Sequence, residues 1–133
     1  MRVAVAPVRL LRGHVLDLAT ALGRTPMGLV DHPDFFEGIL AYPDVAAAAL
    51  LTIADVAARR YADLGQSAML ANLDPVVTSG GGRLRFESFS ACNGVYARFD
   101  LLADGVDGGD ISFGTTNVDF NQPLRTALAR VGR

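Results

Sequence analysis

The stretch Leu84-Arg-Phe-Glu-Ser-Phe-Ser-Ala-Cys-Asn-Gly-Val-Tyr-Ala-Arg-Phe-Asp-Leu101 decides the fold. Asn93-Gly94 at its centre is the strongest hairpin signal in the chain, because a tight two-residue turn needs positive φ at both positions. After the turn, Val95, Ala97, Phe99 and Leu101 alternate with Tyr96, Arg98 and Asp100. That period of two predicts a half-buried strand, apolar on one face and charged on the other. Before the turn, Leu84 and Phe86 keep the same period and Phe89 does not, which predicts a bulge near Glu87–Ser88.

Working outward, Pro75-Val-Val-Thr78 reads as a short strand and Gly80-Gly-Gly82 as a turn. Downstream, a Gly/Asp-rich loop runs from Asp104 to Asp110. Ile111, Phe113, Thr116, Val118 and Phe120 then predict a third long strand, with Gly114 breaking phase. Asn121 is a suitable N-cap for a last helix over Gln122–Val131, with Leu124, Leu128 and Val131 as its buried stripe.

The first half carries the other helices. Pro43 and Asp44 suit a first turn. Ala46, Leu50, Ile53, Ala57, Tyr61 and Leu64 share one face, Asp55 and Arg59 form an i,i+4 pair, and Gly65 ends the helix. Asp31 or His32 is read as the cap of a short helix with Pro33 at its first position, continuing into Phe35–Leu40 and kept short by Gly38 and Pro43. Residues 2–10, containing Val3, Val5 and Pro7, read as an edge strand. Val15–Ala21 is compatible with strand or helix, strand being the expectation, and Gly23–Gly28 is turn chemistry. The fold class expected is α+β: an antiparallel meander of hairpins, a helical N-terminal half and a C-terminal helix packed on the sheet, all in one domain over residues 1–133.

Composition narrows function. The chain has 133 residues, half of them hydrophobic and a fifth charged, enough for a core without metal or disulfide staples. Cys92 is the single cysteine, so neither an internal disulfide nor a Cys-rich zinc site can form within the chain. The twelve basic residues are all arginine, against fourteen acidic ones, for a net charge of −2. That balance argues against a protein that holds nucleic acid by neutralising phosphates. No apolar run approaches the roughly 20 residues of a membrane span. Pro7, Arg9 and Arg12 interrupt any signal-peptide core, and a cytoplasmic location is the expectation.

Four features bear on chemistry. Cys92 is the weak candidate for a catalytic residue; a reactive thiolate needs a base, and the only histidines are His14 and His32. His32 with Asp31 and Asp34, and the loop Asp104–Asp110, have metal-ligand character; capping explains the first, and the second lacks the frame of a calcium loop. No metal or cofactor is therefore expected. The glycine triplet has no lysine beside it to reach a phosphate. The polar constellation is Glu87, Tyr96, Arg98, Asp100, Asn117 and Asp119, with Thr115 on the last strand. If the two long strands pair, Arg98 meets Asp119 or Asp100 in bidentate fashion. Such a network either locks the sheet or forms a groove that binds a ligand or partner; a structural lock, with Arg98 buried or half-buried, is the expectation.

The segments Phe86–Leu101 and Gly114–Arg130 resemble the N-terminal region of bacterial SWIM zinc finger family proteins, with a weaker match over Pro33–Tyr61. The resemblance implies an accessory region upstream of a Cys/His zinc module that binds protein or nucleic acid. This chain has no C-x-C, and Cys92-Asn93-Gly94 stands where the family has Cys-Cys-Gly, so the finger and its zinc are not implied here. The expected function is a non-catalytic protein-interaction domain, its partner a protein, with a zinc-finger-bearing chain among the candidates. The alternative is a small enzyme or ligand-binding domain using the groove around Cys92, Arg98 and Asp119.

Overall fold

The computed structural model describes residues 2–4, 15–18, 21–31, 33, 36–58, 74–91, 93–107 and 112–131. Ten strands and two helices follow in chain order: β1 Arg2–Ala4, β2 Val15–Asp17, β3 Gly23–Thr25, β4 Gly28–Val30, β5 Glu37–Leu40, α1 Pro43–Ala58, β6 Val76–Gly80, β7 Arg83–Phe89, β8 Tyr96–Leu102, β9 Val106–Asp107, β10 Gly114–Asn117 and α2 Gln122–Leu128. The fold is α+β. A six-stranded antiparallel sheet has the order β4-β3-β10-β6-β7-β8, and a four-stranded sheet the order β2-β1-β5-β9.

The central hairpin forms as its alternation requires. β7 and β8 pair without interruption from Arg83↔Leu102 to Phe89↔Tyr96. The expected bulge is absent: Ser88 takes the inward position, buried, and Phe89 turns outward. Burying Ser88 is tolerated because its hydroxyl donates to the Ile53 carbonyl of α1 at 2.8 Å, which meets the hydrogen-bonding need of a buried polar group. The turn also differs from expectation. Asn93 has φ 55°, but the chain closes through a wider loop, Ser90 N–H donating to the Val95 carbonyl at 2.9 Å. The two-residue turn with positive φ at both centres lies instead between β6 and β7, at Gly81 (63°) and Gly82 (74°). Only glycine adopts two such angles in succession at no steric cost.

Four expectations for the chain path are corrected. β10 pairs with β6 and β3, not with β8, so the sheet is not a simple meander. β5 occupies Glu37–Leu40, where a short helix was expected; it joins β1 and β9, and ladder pairing overrides the local capping pattern. β1 lies between β2 and β5 rather than at an edge. Gly23–Gly28 is more than a turn, since it contains β3 and the start of β4.

α1 forms as the helical pattern predicts, with Ala46, Leu50, Ile53 and Ala57 buried. It packs across β7 and β8, where its alanines permit close approach. The core joins those residues to Val77, Leu84, Phe86, Leu101 and Val118 of the large sheet and to Leu18, Phe36 and Leu40 from the small-sheet side. α2 lies against α1 with Leu128 in the core. Its N-cap is Asn121, whose side chain accepts from Leu124 N–H at 3.0 Å. The expected Asp55–Arg59 pair and the helical positions Tyr61 and Leu64 fall outside the described residues; Asp55 bonds Arg125 of α2.

Candidate polar face and flanking pocket

One face of the six-stranded sheet carries α1. On the opposite face the strands place one row of side chains straight across: Leu29, Arg24, Thr115, Thr78, Arg85 and Asp100. Beside it runs Asn117, Val76, Glu87 and Arg98. This outer face follows from the period of two, which sends every second residue away from the core.

The structure unites Glu87, Tyr96, Arg98 and Asp100. Tyr96 donates its hydroxyl proton to Glu87 at 2.6 Å. This bond favours the neutral phenol and raises the Tyr96 pKa. Arg98 bonds Asp100 two residues along the strand, and Arg85 reaches the same carboxylate from β7, Nε to Oδ1 at 2.8 Å. Both guanidiniums, Arg98 first, hold the Asp100 carboxyl well below the usual carboxylate range, and Arg98 is raised in turn. Phe89 and Tyr96 pack ring to ring at 4.9 Å beside the network.

Two expected members are elsewhere. Asn117 shares the face but lies three strands from Arg98, roughly 14 Å at ordinary strand spacing. Asp119 lies beyond the end of β10 and does not meet Arg98; the expected bidentate pair forms with Asp100 instead. Arg98 is not buried. Its side chain is 41 % exposed, whereas that of Arg85 is 22 % exposed, so Arg85 is the inner cation. Sequence reasoning passed over Arg85, although Arg83, Arg85 and Glu87 alternate with Leu84 and Phe86 and were legible as an outward face. Arg24 carried no such signal, since its place depends on β3 docking against β10. Arg24 and Arg83 have no ion-pair partner among the described residues.

Asp119 instead lines a pocket of about 480 Å³ between the C-terminal end of α1 and the start of α2, with Ala54, Ala57, Asp74, Pro75 and Arg125. Burial, and then the negative charge of Asp119, raise the Asp74 pKa. Ala58 and Asp74, which bracket residues 59–73, both line this pocket.

Cys92, His14, His32, Asp34 and Asp110 lie outside the described residues. Residues 104–107 of the expected loop fall in a 3₁₀ turn, Ala103–Gly105, and in β9. Among the described residues no three His, Cys, Asp or Glu side chains gather to hold a metal ion. No described helix is long and apolar enough to cross a membrane. The chain matches no known family, no curated protein and no solved structure.

Proposed function

We propose that this chain is a non-catalytic interaction domain that docks an acidic segment of a partner protein on the outer face of its six-stranded sheet. The observation that carries the reading is the chemistry of that face. Arg24, Arg83, Arg85 and Arg98 share it with exposed Leu29, Phe89, Tyr96 and Leu102. Arginine and aromatic side chains are the residues that dominate binding energy at protein interfaces. Asp100 and Glu87 offset two of the four cations, and Arg24 and Arg83 remain to meet carboxylates of a partner, bidentate pairing being the strength of arginine.

The resemblance to the accessory region of SWIM proteins supports the same class of function and suggests a partner bearing the zinc module. The alternative, a small enzyme or ligand-binding domain around Cys92, Arg98 and Asp119, has less support, because Asp119 follows β10, which lies three strands from β8.

Panning a displayed library of random peptides against the full chain tests the proposal. Acidic peptides are expected, with affinity reduced at least about tenfold, or 1.4 kcal/mol, by the double substitution Arg24→Glu and Arg83→Glu. Peptides indifferent to that change, or none at all, overturn the reading. Tighter binding of a single-stranded oligonucleotide with the same sensitivity would move the face to nucleic acid.

A further inference from the structure

We infer that β8 is a homodimerisation strand, pairing antiparallel with β8 of a second copy about a two-fold axis through Phe99. Among the described residues β8 pairs only with β7, and its outer edge ends the six-stranded sheet. Seven residues make this a long edge, and an edge strand of this length is a template for another strand.

The order of residues selects the partner. In a two-fold pairing centred on Phe99, Arg98 faces Asp100 of the second copy and Asp100 faces its Arg98. Tyr96 faces Leu102, and both are about half exposed in the single chain. On the inner face small Ala97 meets large Leu101, and Phe99 meets Phe99. Shifting the axis to Arg98 sets two arginines directly opposite; shifting it to Asp100 sets two aspartates opposite. Like charges at that position destabilise a sheet, and axes at Ala97 or Leu101 pair only three residues of each strand, so the Phe99-centred register alone pairs all seven without like charges opposite.

Backbone parity agrees. The Ser90 N–H to Val95 carbonyl bond makes Ser88↔Ala97, Phe86↔Phe99 and Leu84↔Leu101 the hydrogen-bonded pairs of β7 and β8, because the two kinds of pair alternate. Tyr96, Arg98, Asp100 and Leu102 therefore aim their N–H and C=O groups at the free edge. In the Phe99-centred register these four residues pair only with one another, so about eight hydrogen bonds form between the copies. Phe99 then sits in the closer, non-bonded pair on the axis. The two sheets become one, and the two outer faces become continuous.

This inference rests on the edge, not on the peptide-docking reading, and its test reads mass rather than peptide affinity. Sedimentation equilibrium of the full chain across the micromolar range is expected to show a monomer–dimer equilibrium. Arg98→Glu and Asp100→Lys, each alone, set like charges opposite across the axis and are expected to weaken self-association at least about tenfold. An equimolar mixture of the two restores opposite charges at both crossings and is expected to form a heterodimer. Leu102→Lys, outside the charge network, is expected to give a monomer and serves where a charge variant fails to fold, as judged by circular dichroism. A wild-type chain that stays monomeric overturns the inference, as do folded charge variants that remain homodimers or fail to associate when mixed.

Discussion

The two edges of the six-stranded sheet differ in how they are held. At one end β8 runs seven residues, sends Leu101 into the core and lies under α1. At the other, β4 runs three residues, all exposed. Its neighbour β3 meets β10 through the single register pair Thr115↔Arg24. Nearby, Ala21 N–H donates to the Asn117 carbonyl at 3.1 Å and the Thr116 hydroxyl to the Ala21 carbonyl at 3.2 Å. Burial is concentrated where β7 and β8 face α1, and the β3–β4 end buries no large apolar side chain of its own. Met27 is 92 % exposed there and Leu29 66 % exposed.

The sharpest way to break this comparison is to truncate one large apolar side chain towards each end, on β7 beside the β8 edge and on β4. Phe86→Ala, at a fully buried position beneath α1, is expected to cost about 3–5 kcal/mol. Leu29→Ala is expected to stay within about 0.5 kcal/mol of wild type. Urea unfolding of the two variants reads the contrast, and comparable losses would remove the asymmetry.

The buried hydroxyl at the α1 contact comes next. Ser88→Ala removes its bond to the Ile53 carbonyl and is expected to cost about 1 kcal/mol, read as a lower thermal midpoint. No change would mean that the bond contributes nothing net.

The charge network on the outer face is expected to contribute less and to depend on pH. Arg85→Ala should cost up to about 1 kcal/mol at neutral pH, the range of a cross-strand ion pair. Arg98→Ala, at the more exposed cation, should leave the urea midpoint nearly unchanged. The Asp100 carboxyl is depressed in the folded state, so its stabilisation is present above about pH 4 and is lost as pH falls through the folded value. Asp100→Asn should therefore flatten the acid limb of the stability profile; an unaltered limb would show that the network does not couple to folding.

The smallest effect has the opposite sign. Asp74 is raised by burial and by Asp119, so its favourable contribution belongs to low pH and is lost as pH rises through the folded value. Asp74→Asn should stabilise the protein at neutral pH by under about 0.5 kcal/mol, given the partial exposure of the group. Stability profiles of the two proteins should converge in acid, and divergence there would reverse the assignment.

Much of the fold was legible in particular residues. The alternation from Tyr96 to Leu101, the apolar stripe of α1 as far as Ala57 and the Asn121 cap each depend on neighbours close in sequence, and each formed; Val95, expected on the core face, precedes β8 and is exposed. Glu37–Leu40 misled because Pro33 and its flanking aspartates satisfy local helix chemistry, while the partners that make it a strand, β1 and β9, lie far away in the chain. The candidate site divides in the same way. Arg98 and Asp100 are two residues apart on one strand and meet, whereas Asp119 depended on which strand β10 joins.

By itself the sequence determined the α+β class, the faces of β8 and α1, and the outward placement of Tyr96, Arg98 and Asp100, because periodicity is a local property of the backbone. Only the tertiary structure decided the order of strands, the exposure of Arg98 relative to Arg85, the shared carboxylate of Asp100 and the pocket that holds Asp119. Those depend on long-range pairing, whose loop-closure cost is offset by contacts that no short window of sequence contains.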